Sequence, residues 1–171
     1  MERRTFEVKQ KGRTLYGYAA LFDSETVLGE FAEVIRPGAF TRTLAAKSAA
    51  NIRAIYEHDD KSLLGKVGSG TLRLSEDDTG LAFELDLPNT SLGNDLAELV
   101  KRGDVSGCSF GFMPVADTWQ DRDVPLRELR DVDLFEITLT ASPAYADTSV
   151  QVRSKRGMKL DLARRYLECL Q

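Results

Sequence analysis

Three side chains in separate segments supply the parts of a nucleophilic hydrolase. The chain has a single histidine, His58. Any chemistry that needs an imidazole base must use it, and a zinc site built on histidine and cysteine lacks ligands. His58 ends an apolar run in Ile55-Tyr56-Glu57-His58-Asp59-Asp60, and strand ends leading into loops are where a rigid scaffold presents functional groups. Ser109 lies in Val105-Ser106-Gly107-Cys108-Ser109-Phe110-Gly111-Phe112. The bracketing glycines let the backbone turn or let another chain come close, which a nucleophile needs if substrate is to lie over its oxygen. The letters read Gly-x-Ser-x-Gly, but the strand-turn-helix setting of the α/β-hydrolase elbow is missing. Glu136 sits in Asp133-Leu134-Phe135-Glu136-Ile137-Thr138-Leu139-Thr140. Alternation predicts Phe135, Ile137 and Leu139 on one face, with Leu134, Glu136 and Thr138 on the other. A mid-strand carboxylate needs a partner if buried, and an imidazole N–H would serve. Hydroxyl, imidazole and carboxylate together can perform acyl transfer. Each residue also has a plainer reading: a surface histidine in a polar turn, a glycine-bearing strand, a solvated carboxylate.

Two rivals compete for the same chemistry. Cys108 adjoins Ser109 and a thiolate is the better nucleophile, but strand neighbours point to opposite faces, which makes Cys108 a packing residue. Lys61 or Lys66 could serve a Ser-Lys dyad if desolvated, yet Gly65-Lys66-Val67-Gly68 reads as a turn. The stretch 117–123, with Trp119 and Arg122, reads as a charged hairpin loop. Glu76-Asp77-Asp78 lacks the ligand spacing of a calcium loop and reads as a solvated turn.

The elements that must position these residues are mostly short strands. Residues 5–9 and 15–21 flank the turn Lys11-Gly12-Arg13. Residues 71–74 and 81–87 form a second hairpin, with Leu81, Phe83, Leu85 and Leu87 on one face. Residues 51–56, 108–115, 126–129, 134–140 and 149–152 are further strand candidates. Two helices interrupt them: residues 38–47 after Pro37, and a segment with Leu92, Leu96, Leu99 and Val100 at helical spacing between Ser91 as N-cap and Gly103 as stop. A third helix, about 159–170, carries Ala163, Tyr166, Leu167 and Leu170. The predicted organisation is a body over 1–152, a basic linker over 153–157 and a helical tail over 158–171. The fold class is mainly β with peripheral helices (α+β), a small closed or nearly closed β-barrel.

Composition excludes several classes. The 171 residues carry 23 basic and 27 acidic side chains, a net charge of −4, which gives no general attraction to nucleic acid or an anionic membrane. Two cysteines, Cys108 and Cys169, do not make a disulfide framework and fit a reducing compartment. No signal-peptide core follows the first residues, and no apolar run approaches the roughly 18 residues of a membrane span.

In order and surroundings, His58, Ser109 and Glu136 resemble the prohead proteases of tailed bacteriophages, distantly similar to the herpesvirus maturational proteases (assemblins). The resemblance rests on Gly17-Tyr18-Ala19-Ala20-Leu21-Phe22, Ile35-Arg36-Pro37-Gly38-Ala39-Phe40, Glu57-His58-Asp59, Cys108-Ser109-Phe110-Gly111-Phe112, and Phe135-Glu136-Ile137 followed by Ser142-Pro143-Ala144-Tyr145. It spans about residues 15–150. It implies a herpesvirus-protease-like fold and a serine endopeptidase without cofactor or metal, with Ser109 as nucleophile and His58 as base. The herpesvirus enzymes place a second histidine third; Glu136 is carried to that position by its strand. The same analogy looks for oxyanion donors near Ala144, after Pro143, which has no N–H itself. Implied substrates are the scaffold and major capsid protein and the chain itself, inside a procapsid assembling in the host cytoplasm; a homo-oligomer is compatible with such a role. The tail would be a self-cleaved or docking segment. Two other classes share these features: a catalytically silent assembly module and a Ser-His esterase.

Overall fold

The computed structural model describes residues 8–141. The expected strand at 149–152, the linker, the tail, Cys169 and Ala144 lie outside the described residues. In chain order the strands are β1 (Lys9–Lys11), β2 (Thr14–Leu21), β3 (Thr26–Val27), β4 (Ala32–Ile35), β5 (Arg53–Tyr56), β6 (Asp59–Lys66), β7 (Leu72–Glu76), β8 (Gly80–Asp86), β9 (Gly107–Gln120) and β10 (Leu126–Thr140). Helix α1 (Thr41–Ala45) continues into a 3-10 turn at Lys47–Asn51, a second 3-10 turn spans Val67–Ser69, and α2 covers Ser91–Arg102.

The strands form two sheets, one ordered β1-β2-β8-β7 and the other β3-β4-β10-β5-β6 with β9 on the opposite edge of β10. The class is mainly β, as expected. The predicted barrel closure is not seen: among the described residues no ladder joins the two sheets. They meet through side chains instead, with Leu15, Leu72, Leu81, Phe83 and Leu85 sharing one core with Ala54, Cys108, Phe110, Ile137 and Leu139. Alternation in β8 buries Leu81, Phe83 and Leu85 while leaving Glu84 exposed, the inside-outside pattern of a one-sided sheet.

Strand β10 organises the larger sheet. Its first part pairs in parallel with β4, Leu126 opposite Ala32 to Leu129 opposite Ile35. Its last part pairs in parallel with β5, Glu136 opposite Arg53 to Leu139 opposite Tyr56. The gap between them along that edge is closed by the segment connecting β4 to β5. There Val132 N–H donates to Ala39 carbonyl (3.1 Å), Leu134 N–H donates to Thr43 Oγ1 (3.2 Å), and Phe40 packs edge-on to Phe110 with ring centroids 5.6 Å apart. The other edge of β10 runs antiparallel to β9 throughout.

Several boundaries differ from expectation. Residues 126–129 and 134–140 are one strand, because the charged stretch between them stays in the ladder. The supposed loop 117–123 is half strand: Asp117 to Gln120 continue β9, and Arg127 lies over the Trp119 ring (5.7 Å) while bonding Asp117 (2.7 Å). Gly65-Lys66 ends β6 before the turn begins. The first helix is short, five residues. In α2 the N-cap is Thr90, one residue earlier than expected, its Oγ1 accepting from Gly93 N–H at 3.2 Å. Gly103 does end that helix, in the left-handed conformation with φ 82°.

Candidate active site

The two faces of the larger sheet are set by its register. Cys108 and Phe110 of β9 stand opposite Leu139 and Ile137 of β10, and all four lie in the core. The residues between them therefore face outward. Ser109 is opposite Thr138, and Gly111 is opposite Glu136. On the other side of β10, Thr138 is opposite Ile55 and Glu136 is opposite Arg53. Two adjacent rows result: Ser109, Thr138, Ile55 and Gly111, Glu136, Arg53.

This phase differs from the expected alternation. Alternation puts Phe135 on one face with Ile137 and Leu139, and Leu134 on the other with Glu136; instead Leu134 is buried with Ile137 and Leu139, and Phe135 is 48% exposed. A register shift between Leu134 and Glu136 accounts for it. A bulge inserts one extra residue and changes which side chains point inward.

His58 enters from the end of β5. Tyr56 pairs with Asp59, so Glu57 and His58 are the two central residues of a tight hairpin turn, with φ of 50° and 55°. Such a turn matches the twist of the flanking strands but requires left-handed backbone at both positions. His58 thus lies in a turn at the end of a strand, and the residues beyond it form β6. Asp59 secures the return, accepting from Lys61 N–H (3.0 Å) and Ser62 Oγ (2.8 Å).

From this turn the imidazole folds back over the outer face. His58 Nδ1 lies 3.1 Å from Glu136 Oε1. Thr138 Oγ1 is 3.3 Å from both His58 Nδ1 and Glu136 Oε1. A carboxylate only accepts hydrogen bonds, so Nδ1 carries the proton and Nε2 is left as the basic nitrogen. Hydrogen bonding to His58 holds the Glu136 carboxyl below its ordinary range, with burial opposing and Thr138 and Arg53 adding to the downward shift. Thr138 is completely buried, and its hydroxyl can donate only to the carboxylate while Nδ1 is protonated.

Gly111 makes this arrangement fit. A Cβ there would stand 2.7 Å from Glu136 Cγ and 3.1 Å from its Cδ and Oε1. The glycine after the serine was expected to make room for substrate; what it accommodates is the glutamate that holds the histidine.

Ser109 occupies the row beyond Thr138. Directly opposed residues of antiparallel strands have Cα atoms about 4.5–5.5 Å apart, so the serine is the next side chain along from a hydroxyl in contact with the ring. Its residue is 3% exposed. Among the described residues no hydrogen bond joins Ser109 Oγ to His58; the two contacts that are closed are those of the imidazole with Glu136 and Thr138. Serine–base contacts commonly tighten only when substrate is bound.

The rivals are placed elsewhere. Cys108 is fully buried in the core, where desolvation pushes its thiol up to about 12; a nucleophilic thiol needs the reverse. Lys66 is opposite Arg53 on β6, and Lys61 lies on the exposed part of that strand. Of the residues around the imidazole, sequence reasoning gave no role to Glu57 or Thr138. Thr138 had a signal, since alternation placed it beside Glu136; Glu57 had none without the turn geometry.

The sequence profile of the caudovirus prohead serine proteases matches residues 1–162. The chain belongs to that family. It is accordingly a serine protease of phage capsid maturation, acting on capsid-related proteins within the procapsid. No curated protein and no solved structure matches the chain. Among the described residues no helix is long and apolar enough to cross a membrane.

Proposed function

We propose that this prohead protease is an endopeptidase acting through Ser109, His58 and Glu136. Ser109 Oγ adds to the scissile carbonyl carbon as its proton passes to His58 Nε2. The C–N bond then breaks, the imidazolium returns the proton to the leaving amine, and water repeats the sequence on the acyl-enzyme. Glu136 holds the ring in the required tautomer. The observation that carries this reading is the 3.1 Å contact of Glu136 Oε1 with His58 Nδ1, on the sheet face that also bears Ser109 one strand away. Oxyanion donors come from backbone N–H groups near Ala144, and the substrates are the scaffold protein, the major capsid protein and the chain itself.

Mass spectrometry of the purified chain beside its Ser109→Ala form tests it. The wild-type chain is expected to shorten with time and to react with a fluorophosphonate at Ser109, the serine oxygen displacing fluoride while its proton goes to His58. Ser109→Ala and His58→Asn are expected to do neither. Identical behaviour of all three would favour an assembly module without catalysis. Turnover of a small ester with no peptide cleavage would favour an esterase.

A further inference from the structure

Glu57 is an unusual residue for its position. It and His58 both hold left-handed backbone, a conformation suited to Asn or Gly and strained for a longer side chain. Strain of this kind persists where surrounding contacts over-determine it, and here they are visible. Glu57 N–H donates to Leu139 carbonyl at 3.0 Å. Its Oε1 accepts from Ala141 N–H at 2.8 Å, and its Oε2 accepts from Thr140 Oγ1 at 3.0 Å. The ladder between β5 and β10 ends at the Tyr56–Leu139 pair. Beyond it, the turn is joined to β10 by that backbone bond, by the Glu57 carboxylate and by the contacts of the imidazole itself with Glu136 and Thr138.

We propose that Glu57 is a positioning residue: its carboxylate clamps the strained turn to the end of β10 and thereby fixes where the His58 imidazole stands relative to Ser109. The inference rests on the reading of His58 as the base for Ser109. The geometry explains why a glutamate occupies a position where asparagine would be less strained. Only the longer side chain reaches both the Thr140 hydroxyl and the Ala141 N–H. The same carboxylate fixes Thr140, the last residue of β10, and Ala141 after it, so turn and strand end are held as one unit.

The test separates the needs of the turn from those of the imidazole. Asparagine is favoured at positive φ, which offsets part of the loss of both side-chain bonds, so Glu57→Asn should still fold while losing the clamp. Glu57→Gln keeps an oxygen for Ala141 N–H and an amide for Thr140. The full chain and both variants are compared in thermal unfolding and in the rate of Ser109 labelling by a fluorophosphonate, measured against probe concentration. The imidazole resonances in NMR add a further readout, unambiguous because the untagged chain has one histidine. The Asn variant should fold normally yet lose about 10²-fold in limiting labelling rate, the scale of a small misplacement of a catalytic group. Its half-saturating probe concentration should be unchanged, and its imidazole resonances should move. The Gln variant should recover most of the rate. Should the Asn variant fail to fold, Thr140→Val removes one of the two bonds with little change of shape and should give a smaller loss of the same kind. A folded Asn variant with wild-type labelling and unmoved imidazole resonances overturns the inference alone. A wild-type chain that does not label at Ser109 overturns the functional reading and this inference with it.

Discussion

Replacing Gly111 with alanine should disable the site without touching any residue that does chemistry. The added Cβ would lie 2.7 Å from Glu136 Cγ, where carbon atoms prefer about 3.5–4.0 Å, an overlap of roughly 1 Å. The backbone cannot easily relieve it, because β10 is laddered on both sides at this point, to β9 and to β5. The glutamate must therefore rotate, and a displacement at Cγ is enlarged at Oε1, which is 3.1 Å from His58 Nδ1. Two effects of opposite sign act on stability. Overpacking costs about 1–3 kcal/mol, whereas alanine in a strand gains about 0.5–1 kcal/mol over glycine. On activity there is one effect: losing the orienting carboxylate of a triad lowers turnover by about 10⁴-fold at most. Fluorophosphonate labelling of Ser109 and urea unfolding should be measured for Gly111→Ala, Glu136→Ala and the double variant. The two single variants should label with similar slow rates, and the double should be no slower than Glu136→Ala. In the Glu136→Ala background the alanine at 111 should stabilise, since nothing is left for it to strike. Near-wild-type labelling in Gly111→Ala, or rate losses that simply add, would refute the argument that the glycine serves the glutamate.

Other expectations follow from the same geometry. The Glu136 carboxyl is held below its ordinary value of 4.5, chiefly by His58. A depressed carboxyl contributes stability that is complete above the unfolded value and is lost as pH falls through the folded one. Wild-type stability should thus fall below about pH 4.5 more steeply than that of Glu136→Gln in parallel urea titrations; parallel curves would show that the pair contributes nothing. Thr138→Val should slow labelling roughly ten- to a hundredfold, the scale of one hydrogen bond to an ionised partner, while Thr138→Ser stays near wild type. Equal rates for Val and Ser would remove the hydroxyl from the account. Cys108, buried and raised to about 12, should resist iodoacetamide at pH 8 in the folded chain and react in urea, and Cys108→Ala should leave Ser109 labelling intact. Alkylation of native Cys108, or loss of labelling in that variant, would reopen the thiol as the nucleophile.

The parts of the fold that burial dictates were legible in the sequence. The β7–β8 hairpin follows from Leu81, Phe83 and Leu85 alternating after a polar turn, and α2 from its leucine spacing and Gly103. What escaped was governed by contacts that single segments do not contain. Strand β6 begins with Asp59, Asp60 and Lys61, exposed and charged, and is a strand because a turn with unusual backbone returns it to β5. Strand β4 is short and buried at every position, with no alternation to read. Its neighbours are β3 and a strand more than ninety residues away. The three candidate site residues could be picked out because chemistry restricts residue type and the chain has one histidine. Of their supports, Thr138 had only its place beside Glu136 in the alternation and Glu57 had no signal, since both act through distances that only pairing defines.

The bulge beside Glu136 decides whether there is a site at all. Leu134, Ile137 and Leu139 are all buried, and simple alternation cannot bury both 134 and 137. Were Phe135 a regular member of the ladder instead of a bulge, alternation from Leu134 would send Glu136 and Thr138 inward, into the space held by Ile137 and Leu139. Two polar groups would then be buried in a core with no partners, while Ser109 would face apolar side chains. With the bulge, Phe135 and Glu136 both leave the core and the following residues resume the opposite phase. The exposed Phe135 is therefore the visible cost of aiming a carboxylate at the histidine. Deleting Phe135 should keep the phase, because Leu134, Glu136 and Ile137 would then alternate in the ladder they already occupy, opposite Phe112, Gly111 and Phe110. Phe135→Ala trims a side chain that is already about half in solvent. Both the Phe135→Ala chain and the chain lacking residue 135 should fold and label at Ser109. If the deletion variant failed to fold, residue 135 would not be the extra residue and this account of the bulge would be wrong.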